Sequence, residues 1–193
     1  MPRIAAVVLA AGESKRFGFP KQLIVREGEP LVRRIARAAV EAGADPVIVV
    51  LGANAKLVAP ELSGLPSVTT VVNRDWSRGL SSSLVTGLTA AFSDPSCEAA
   101  LVTLADQPLV DAAALRRLMA AFNARQRIVA SAYDDTVGVP AIFGREHADD
   151  LMRLTGDAGA GSWLRSRRSG VTSVSLQAGA VDIDTSADLA RLV

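Results

Sequence analysis

One histidine and one cysteine in 193 residues leave no material for a disulfide, a cysteine-rich metal site or a His-assisted nucleophile. Cys97 stands in Ser93-Asp94-Pro95-Ser96-Cys97-Glu98 with no histidine beside it and reads as a spectator thiol, while His147, next to Arg145 and Glu146, reads as a solvated surface residue. Charge of one sign is also missing. Lysine and arginine number 21 against 20 acidic residues, so no broad basic field invites nucleic acid or an anionic membrane. The N-terminal apolar stretch is only a strand long, far from the roughly 20 residues of a membrane span. A free thiol and no cleavable signal fit a reducing cytoplasm.

What is present is apolar and alternating. A 49% hydrophobic content at this length supports one sizeable core, and hence one domain over 1–193. Strand-like runs at Ile4 to Leu9, Pro46 to Leu51, Val68 to Val72 and Ala99 to Leu104 alternate with helical patterns at Pro30 to Ala42, Ala55 to Leu62 and Leu80 to Phe92. Such alternation predicts βαβ units and a mostly parallel central sheet in a three-layer α/β/α arrangement. Further on, a helix over Ala112 to Ala124 has Asp111 as its cap, strands are expected at Ile128 to Tyr133, Ala141 to Phe143 and Val171 to Leu176, and helices at Arg145 to Leu154 and Gly161 to Arg167. Asp134 to Gly138 reads as a hairpin turn, Val181 to Ile183 as a short strand, and Ala187 as the start of a last helix capped by Thr185 or Ser186.

The segment Leu9-Ala10-Ala11-Gly12-Glu13-Ser14-Lys15-Arg16-Phe17-Gly18-Phe19-Pro20-Lys21-Gln22-Leu23 directly follows the first strand. Its glycines let the backbone turn with N–H groups exposed, and Lys15, Arg16 and Lys21 add charge where a polyphosphate needs it. Two common phosphate loops are excluded. A Walker loop closes on Gly-Lys-Ser/Thr, whereas Gly18 is followed by Phe19-Pro20-Lys21; a dinucleotide fingerprint has three glycines and a later acid, whereas the second strand ends Val50-Leu51-Gly52-Ala53.

Ligands of open parallel sheets collect beyond the carboxyl ends of the strands. Those positions hold the cationic loop, then Asn73 to Ser83, then Ala105-Asp106-Gln107-Pro108, and finally Asp184. Asp106 follows an apolar strand and precedes Gln-Pro, which suits a Mg²⁺ ligand, and Asp184 is its candidate companion or an ordinary cap. Gly79-Leu80-Ser81-Ser82-Ser83 opens a helix with small polar residues that suit a base or phosphate. Trp76 reads as a core or lid aromatic or as a platform for a planar ligand.

Taken together, Leu-Ala-Ala-Gly-x-Ser-x-Arg-Phe-Gly-x-Pro-Lys at 9–21, Asn73-x-x-Trp76-x-x-Gly79-Leu80-x-Ser82-Ser83, Leu104-Ala105-Asp106-Gln107-Pro108, Gly138-Val139-Pro140-Ala141, Gly156-Asp157-x-Gly159-Ala160 and Asp182-Ile183-Asp184-Thr185 resemble the MobA-like nucleotidyltransferases, in particular the molybdenum cofactor cytidylyltransferases. The resemblance implies a Rossmann-like fold that binds CTP or GTP with Mg²⁺ and moves the nucleoside monophosphate to a phosphorylated, molybdopterin-type acceptor with release of pyrophosphate. It assigns Gly12, Ser14, Arg16 and Lys21 to the triphosphate, with Leu9, Ala10 and Ala11 beside them, and Asn73, Gly79, Ser81, Ser82 and Ser83 to base and ribose. Arg16, Lys21 and Asp106 become the catalytic residues, Asp106 and Asp184 the metal ligands. A nucleotide-binding part of about 1–110 and an acceptor part of about 111–193 follow from the same likeness, and a recipient molybdoenzyme joins the expected partners.

The chemistry suits the residues. A phosphate monoester with a second pKa near 6 is already a nucleophile at neutral pH, so a missing His or Cys nucleophile is expected. Open at this point are the base, CTP or GTP, and the acceptor, since a sugar or polyol phosphate suits the same site. A non-catalytic nucleotide sensor or cofactor carrier is the reading from another class.

Overall fold

The computed structural model describes residues 2–15, 17–167 and 169–183. Strand β1 (Ile4–Ala10) carries no charge and is buried along its whole length, as a strand covered on both faces must be. A small hairpin, β2 (Val25–Arg26) with β3 (Glu29–Pro30), precedes α1 (Leu31–Ala42), which begins where Pro30 fixes the backbone. Next come β4 (Val47–Leu51), α2 (Ala55–Val58), β5 (Val68–Val72), α3 (Leu80–Phe92) and β6 (Ala99–Leu104). Helix α4 (Ala112–Ala121) starts at Asp111, whose carboxylate accepts the Ala114 N–H at 2.8 Å. The remaining elements are β7 (Ile128–Tyr133), β8 (Thr136–Gly144), α5 (Ala148–Met152), α6 (Ala160–Ser166) and β9 (Thr172–Ser175).

Seven strands form one sheet in the order β5-β4-β1-β6-β8-β7-β9, and β8 alone runs antiparallel to its neighbours. The mostly parallel three-layer α/β/α architecture expected from the alternation is therefore the one formed. Alternate residues of each strand feed two cores. Ala6, Val8, Val49 and Leu101 meet α1 and α4 on one face, while Val7, Val50, Val102 and Phe143 meet α3 and α6 on the other. Leu84 and Leu88 of α3 and Leu115 and Leu118 of α4 are fully buried, so truncating any one to alanine costs about 2–5 kcal/mol.

Several elements differ from the sequence expectation, each for a local reason. The helix expected over Ala55 to Leu62 divides into α2 and a 3₁₀ turn at Ala59–Leu62, because Pro60 lacks the N–H that would continue it. Arg145 to Leu154 is likewise a 3₁₀ turn, Arg145–His147, followed by the short α5; the Arg145 guanidinium folds back onto the carbonyls of Phe92, Asp94 and Cys97. Strand β8 begins at Thr136, leaving only Asp134 and Asp135 in the turn, both at positive φ (47° and 57°) as a two-residue hairpin requires. Helix α4 ends at Ala121, with Phe122 extended. Val181 to Ile183 joins no sheet; instead the Ile183 N–H donates to the Asp106 carbonyl at 3.1 Å. The expected last helix from Ala187 and its caps lie outside the described residues. Among the described residues no helix is long and apolar enough to cross a membrane.

Candidate active site

The chain leaves β1 for β4 and β5 on one side and returns to β6 on the other, so the strand order reverses at the boundary of β1 and β6. Open α/β sheets bind ligands at such a point, beyond the carboxyl ends. A cavity of about 470 Å³ lies there, within the roughly 300–1,000 Å³ typical of small-molecule sites. Gly12, Ser14, Lys21 and Asp106 line it from one side, and Trp76, Gly79, Ser83 and Asp157 from the other.

The loop after β1 is braced from within. Ser14 adopts φ 60°; its carbonyl accepts the N–H groups of Phe17 and Gly18 at 2.9 and 3.2 Å, and its Oγ accepts the Lys21 N–H at 3.1 Å. The more important brace is one that motif reading did not single out. Gln22, 5% exposed, donates both amide hydrogens, to the Ala10 carbonyl at 3.0 Å and the Gly12 carbonyl at 2.9 Å. Those carbonyls belong to the turn that leaves β1, so Gln22 clamps that turn from within. The amide's Oε1 is buried with no partner among the described residues, a cost that the two bonds offset. Lys15 turns to Glu13 at 3.2 Å on the exposed rim, and Arg16 lies outside the described residues.

Lys21 reaches across the cavity floor. Its Nζ donates to Asp106 Oδ2 at 2.8 Å, with the two side chains 16% and 25% exposed. Asp106 itself is placed by the backbone around it: Ala105 N–H donates to the Leu9 carbonyl at 3.1 Å, and the Asp106 carbonyl receives Ile183. The next residue, Gln107, is buried and donates to the carbonyls of Val139 and Gly179 at 3.1 and 3.0 Å. A partly exposed carboxylate of hard oxygens at a strand end fits a divalent cation that takes its other ligands from phosphate and water. Among the described residues no three His, Cys, Asp or Glu side chains cluster to form a closed metal cage, so the triphosphate would have to complete the ligand set. Asp184 lies outside the described residues, immediately after Ile183.

The start of α3 forms the opposite wall. Gly79 sits at φ +102°, which favours glycine, and a Cβ there would collide with the Gly156 backbone and lie 2.8 Å from Asp157 Oδ1. The Ser81 N–H donates to the Gly156 carbonyl at 3.0 Å, so the 155–159 loop is docked on the first turn of the helix. Asn73 is not at the cavity wall. It is buried, and its amide donates to Ser82 Oγ at 2.8 Å and Ser83 Oγ at 3.0 Å while its Oδ1 accepts the Asp75 N–H at 2.9 Å. Of Ser81, Ser82 and Ser83, the last lines the cavity; Ser81 is buried and Ser82 hydrogen-bonds to the carbonyls of Asp75 and Gly79. The Asn73 motif therefore orders the helix start. Trp76 reaches the cavity because Gly52 lets it close on β1: a Cβ at Gly52 would lie 2.5 Å from the Ala11 carbonyl and 2.8 Å from the Trp76 Cβ.

Two side readings resolve simply. Cys97 is buried and its thiol is pushed up by that burial, as befits a spectator. His147 is not a solvated surface group: its side chain is 19% exposed, its ring centroid lies 5.9 Å from that of Trp163, and burial lowers its pKa.

A glycine- and lysine-bearing loop after β1, a strand-end carboxylate and the start of α3 around one cleft of a mostly parallel sheet are the parts of a protein of the nucleotidyltransferase class. Residues 6–171 match the MobA-like NTP transferase domain, and the chain belongs to that family. A nicotine blue oxidoreductase of Paenarthrobacter nicotinovorans is 34% identical over 205 residues, spanning 100% of this chain and 98% of that protein. Among solved structures, Rv0371c of Mycobacterium tuberculosis H37Rv superposes with a TM-score of 0.83 at 33% identity over 98% of this chain and 96% of that one, and the same protein is known as a complex with manganese. A nucleotidyl transferase from Methanothermobacter gives a TM-score of 0.81 at 27% identity over 100% and 96% of the two chains.

Proposed function

We propose that this chain is a divalent-metal-dependent, specifically Mg²⁺-dependent, cytidylyltransferase that moves CMP from CTP to the terminal phosphate of a molybdopterin-type cofactor. The observation that carries the reading is the Lys21–Asp106 pair on the floor of the cavity, beside a braced loop that begins Ala10-Ala11-Gly12. In this reading the loop N–H groups and the Ser14 hydroxyl receive the triphosphate, with Arg16 and Lys21 on its β- and γ-groups. A phosphate oxygen of the acceptor bonds to the α-phosphorus as the bond from that phosphorus to the bridging oxygen breaks, and pyrophosphate leaves with the electron pair. A cation bound at Asp106, with Asp184 as its second ligand, supplies charge neutralisation on the phosphates. Lys21 holds the leaving group in line, so the protein's work is alignment and electrostatics. Residues of about 1–110 hold the nucleotide, joined at the cavity by Asp157 from the part of about 111–193 that otherwise holds the acceptor, in the cytoplasm, with handover to a molybdoenzyme afterwards.

Incubating the purified protein with Mg²⁺, molybdopterin cofactor and CTP or GTP, then identifying the dinucleotide and pyrophosphate, tests this directly. A cytosine dinucleotide is expected. A guanine-only product would overturn the base assignment, and turnover with a sugar or polyol phosphate instead would overturn the acceptor. Nucleotide binding without pyrophosphate release from any acceptor would favour a sensor or carrier. The relative named as an oxidoreductase supports one further reading, a redox reaction, which a change in the absorbance of nicotine blue on incubation with the same preparation and a chemical reductant, beyond that in a protein-free control, would reveal.

A further inference from the structure

The two walls of the cavity belong to different layers of the molecule. Lys21 and Gln22 lie on the 3₁₀ turn Lys21–Leu23, whose Leu23 packs into the core under α1 and α4, whereas Trp76, α3 and the 155–159 loop belong to the layer of α3 and α6. A nucleotide with its phosphates in the loop therefore extends over the edge of the sheet toward Trp76, Leu80 and Asp157. Trp76 is partly exposed and Leu80 is 38% exposed, an apolar pair suited to the faces of a base. Beside them stands Asp157. The residue is exposed to solvent at the cavity rim; its carboxylate lies against Gly79, lines the cavity and has no hydrogen-bond or ion-pair partner among the described residues.

An ionised carboxylate accepts hydrogen bonds and cannot donate them. At the phosphate end it would be repelled; at the far end it asks for a donor. We infer that Asp157 is the specificity-determining acceptor for the exocyclic amine of the nucleobase, an inference that rests on the nucleotide site proposed above. The amine is the N4 group of cytosine or the N2 group of guanine, and the carboxylate rejects the matching bases without one, because uracil presents a carbonyl at the corresponding position and hypoxanthine only a C–H. Gly79 is what allows it: any side chain there would displace the carboxylate. The GD step of the 156–160 segment, which the expected site residues did not include, then has a job, with Gly156 giving its carbonyl to Ser81 and Asp157 its carboxylate to the base.

The experiment is equilibrium binding by calorimetry, with Mg²⁺ present and no acceptor, of CTP, UTP, 2′-deoxy-CTP, GTP and ITP to the wild-type protein, Asp157→Ala and Asp157→Asn. The wild type should prefer CTP to UTP, or GTP to ITP, by at least roughly tenfold, the worth of one hydrogen bond to a charged group. Asp157→Ala should bring the preferred pair within about twofold, while inorganic tripolyphosphate binds all three proteins alike. Asp157→Asn, whose amide can turn its NH₂ to a carbonyl, should gain affinity for UTP. The pair that responds identifies the base. An unchanged preference in variants that still bind and melt normally overturns the inference, as does a loss confined to the CTP against 2′-deoxy-CTP contrast, which would make Asp157 a ribose contact. Failure of the wild type to bind any nucleotide or tripolyphosphate would instead remove the nucleotide site itself, and the inference with it.

Discussion

Lys21 Nζ and Asp106 Oδ2, 85 residues apart in sequence, meet at 2.8 Å between the loop after β1 and the end of β6. The pair joins the two strand ends that flank the reversal of strand order, so it closes the cavity floor and prevents an uncompensated ammonium or carboxylate there. Removing either partner exposes the other.

Lys21→Ala should lower pyrophosphate release roughly 10²- to 10³-fold, and Asp106→Asn by at least as much. Because the two groups touch, the double variant should lose much less than the product of the single losses. Multiplicative losses, or wild-type rates in either single variant, would separate them from the reaction.

Gln22→Ala removes both hydrogen bonds that hold the turn after β1. The expected cost is about 1–3 kcal/mol of stability, from two lost bonds and two carbonyls left to find water. Urea unfolding reads the cost, and amide exchange across residues 11–23 should accelerate before the rest of the sheet. Unchanged exchange there would mean the clamp is ornamental.

Gly12→Ala and Gly52→Ala should part company. A Cβ at Gly12 meets nothing within 4 Å, so stability should stay within about 0.5 kcal/mol of wild type while nucleotide affinity falls, since the methyl group enters the cavity. At Gly52 the same change presses on Ala11 and Trp76 and should cost about 1–3 kcal/mol, roughly 2–4 °C in melting temperature per kcal/mol at this chain length. Equal melting temperatures for the two variants would contradict the packing.

Acid should destabilise the fold in two windows. Burial lowers His147 from 6.5, and Arg127, through Nε at 2.7 Å and Nη2 at 2.9 Å, holds Glu146 down to about 2 from 4.5. Both folded values lie below the unfolded ones, so in those windows the unfolded chain binds more protons and stability drops as the pH is lowered. The first loss begins as pH drops below 6.5, the second between 4.5 and about 2. Glu146 is 45% exposed, which keeps its share small through solvent screening. His147→Gln should flatten the upper window and Glu146→Gln the lower one, as seen in urea midpoints taken above, between and below these values.

How much was legible in the sequence depended on how local the cause was. The strands β1 and β4 were plain because full burial writes an unbroken apolar run, β6 nearly so with Thr103 its one polar residue, and the loop after β1 was plain because its residue types serve one chemistry. Asn73 was half legible: a polar residue after a strand reads as a ligand contact, and only the fold shows its amide bonded to Ser82 and Ser83. Gln22 and Asp157 were passed over for the opposite reason. Gln22 owes its importance to two carbonyls ten and twelve residues back, and Asp157 to a glycine on another element, relations that spacing along the chain does not encode. Pro60 carried the break in its helix within the sequence itself, yet the expected helix ran through it.

Residues 105–107 are tied to Leu9 and Ile183 through their backbone and to Val139 and Gly179 through the Gln107 side chain, four places drawn from separate stretches of chain. A point surveyed from several stations moves little when one station shifts. An engineer who grafts outer loops onto this sheet can therefore do so without having to re-aim the carboxylate at 106.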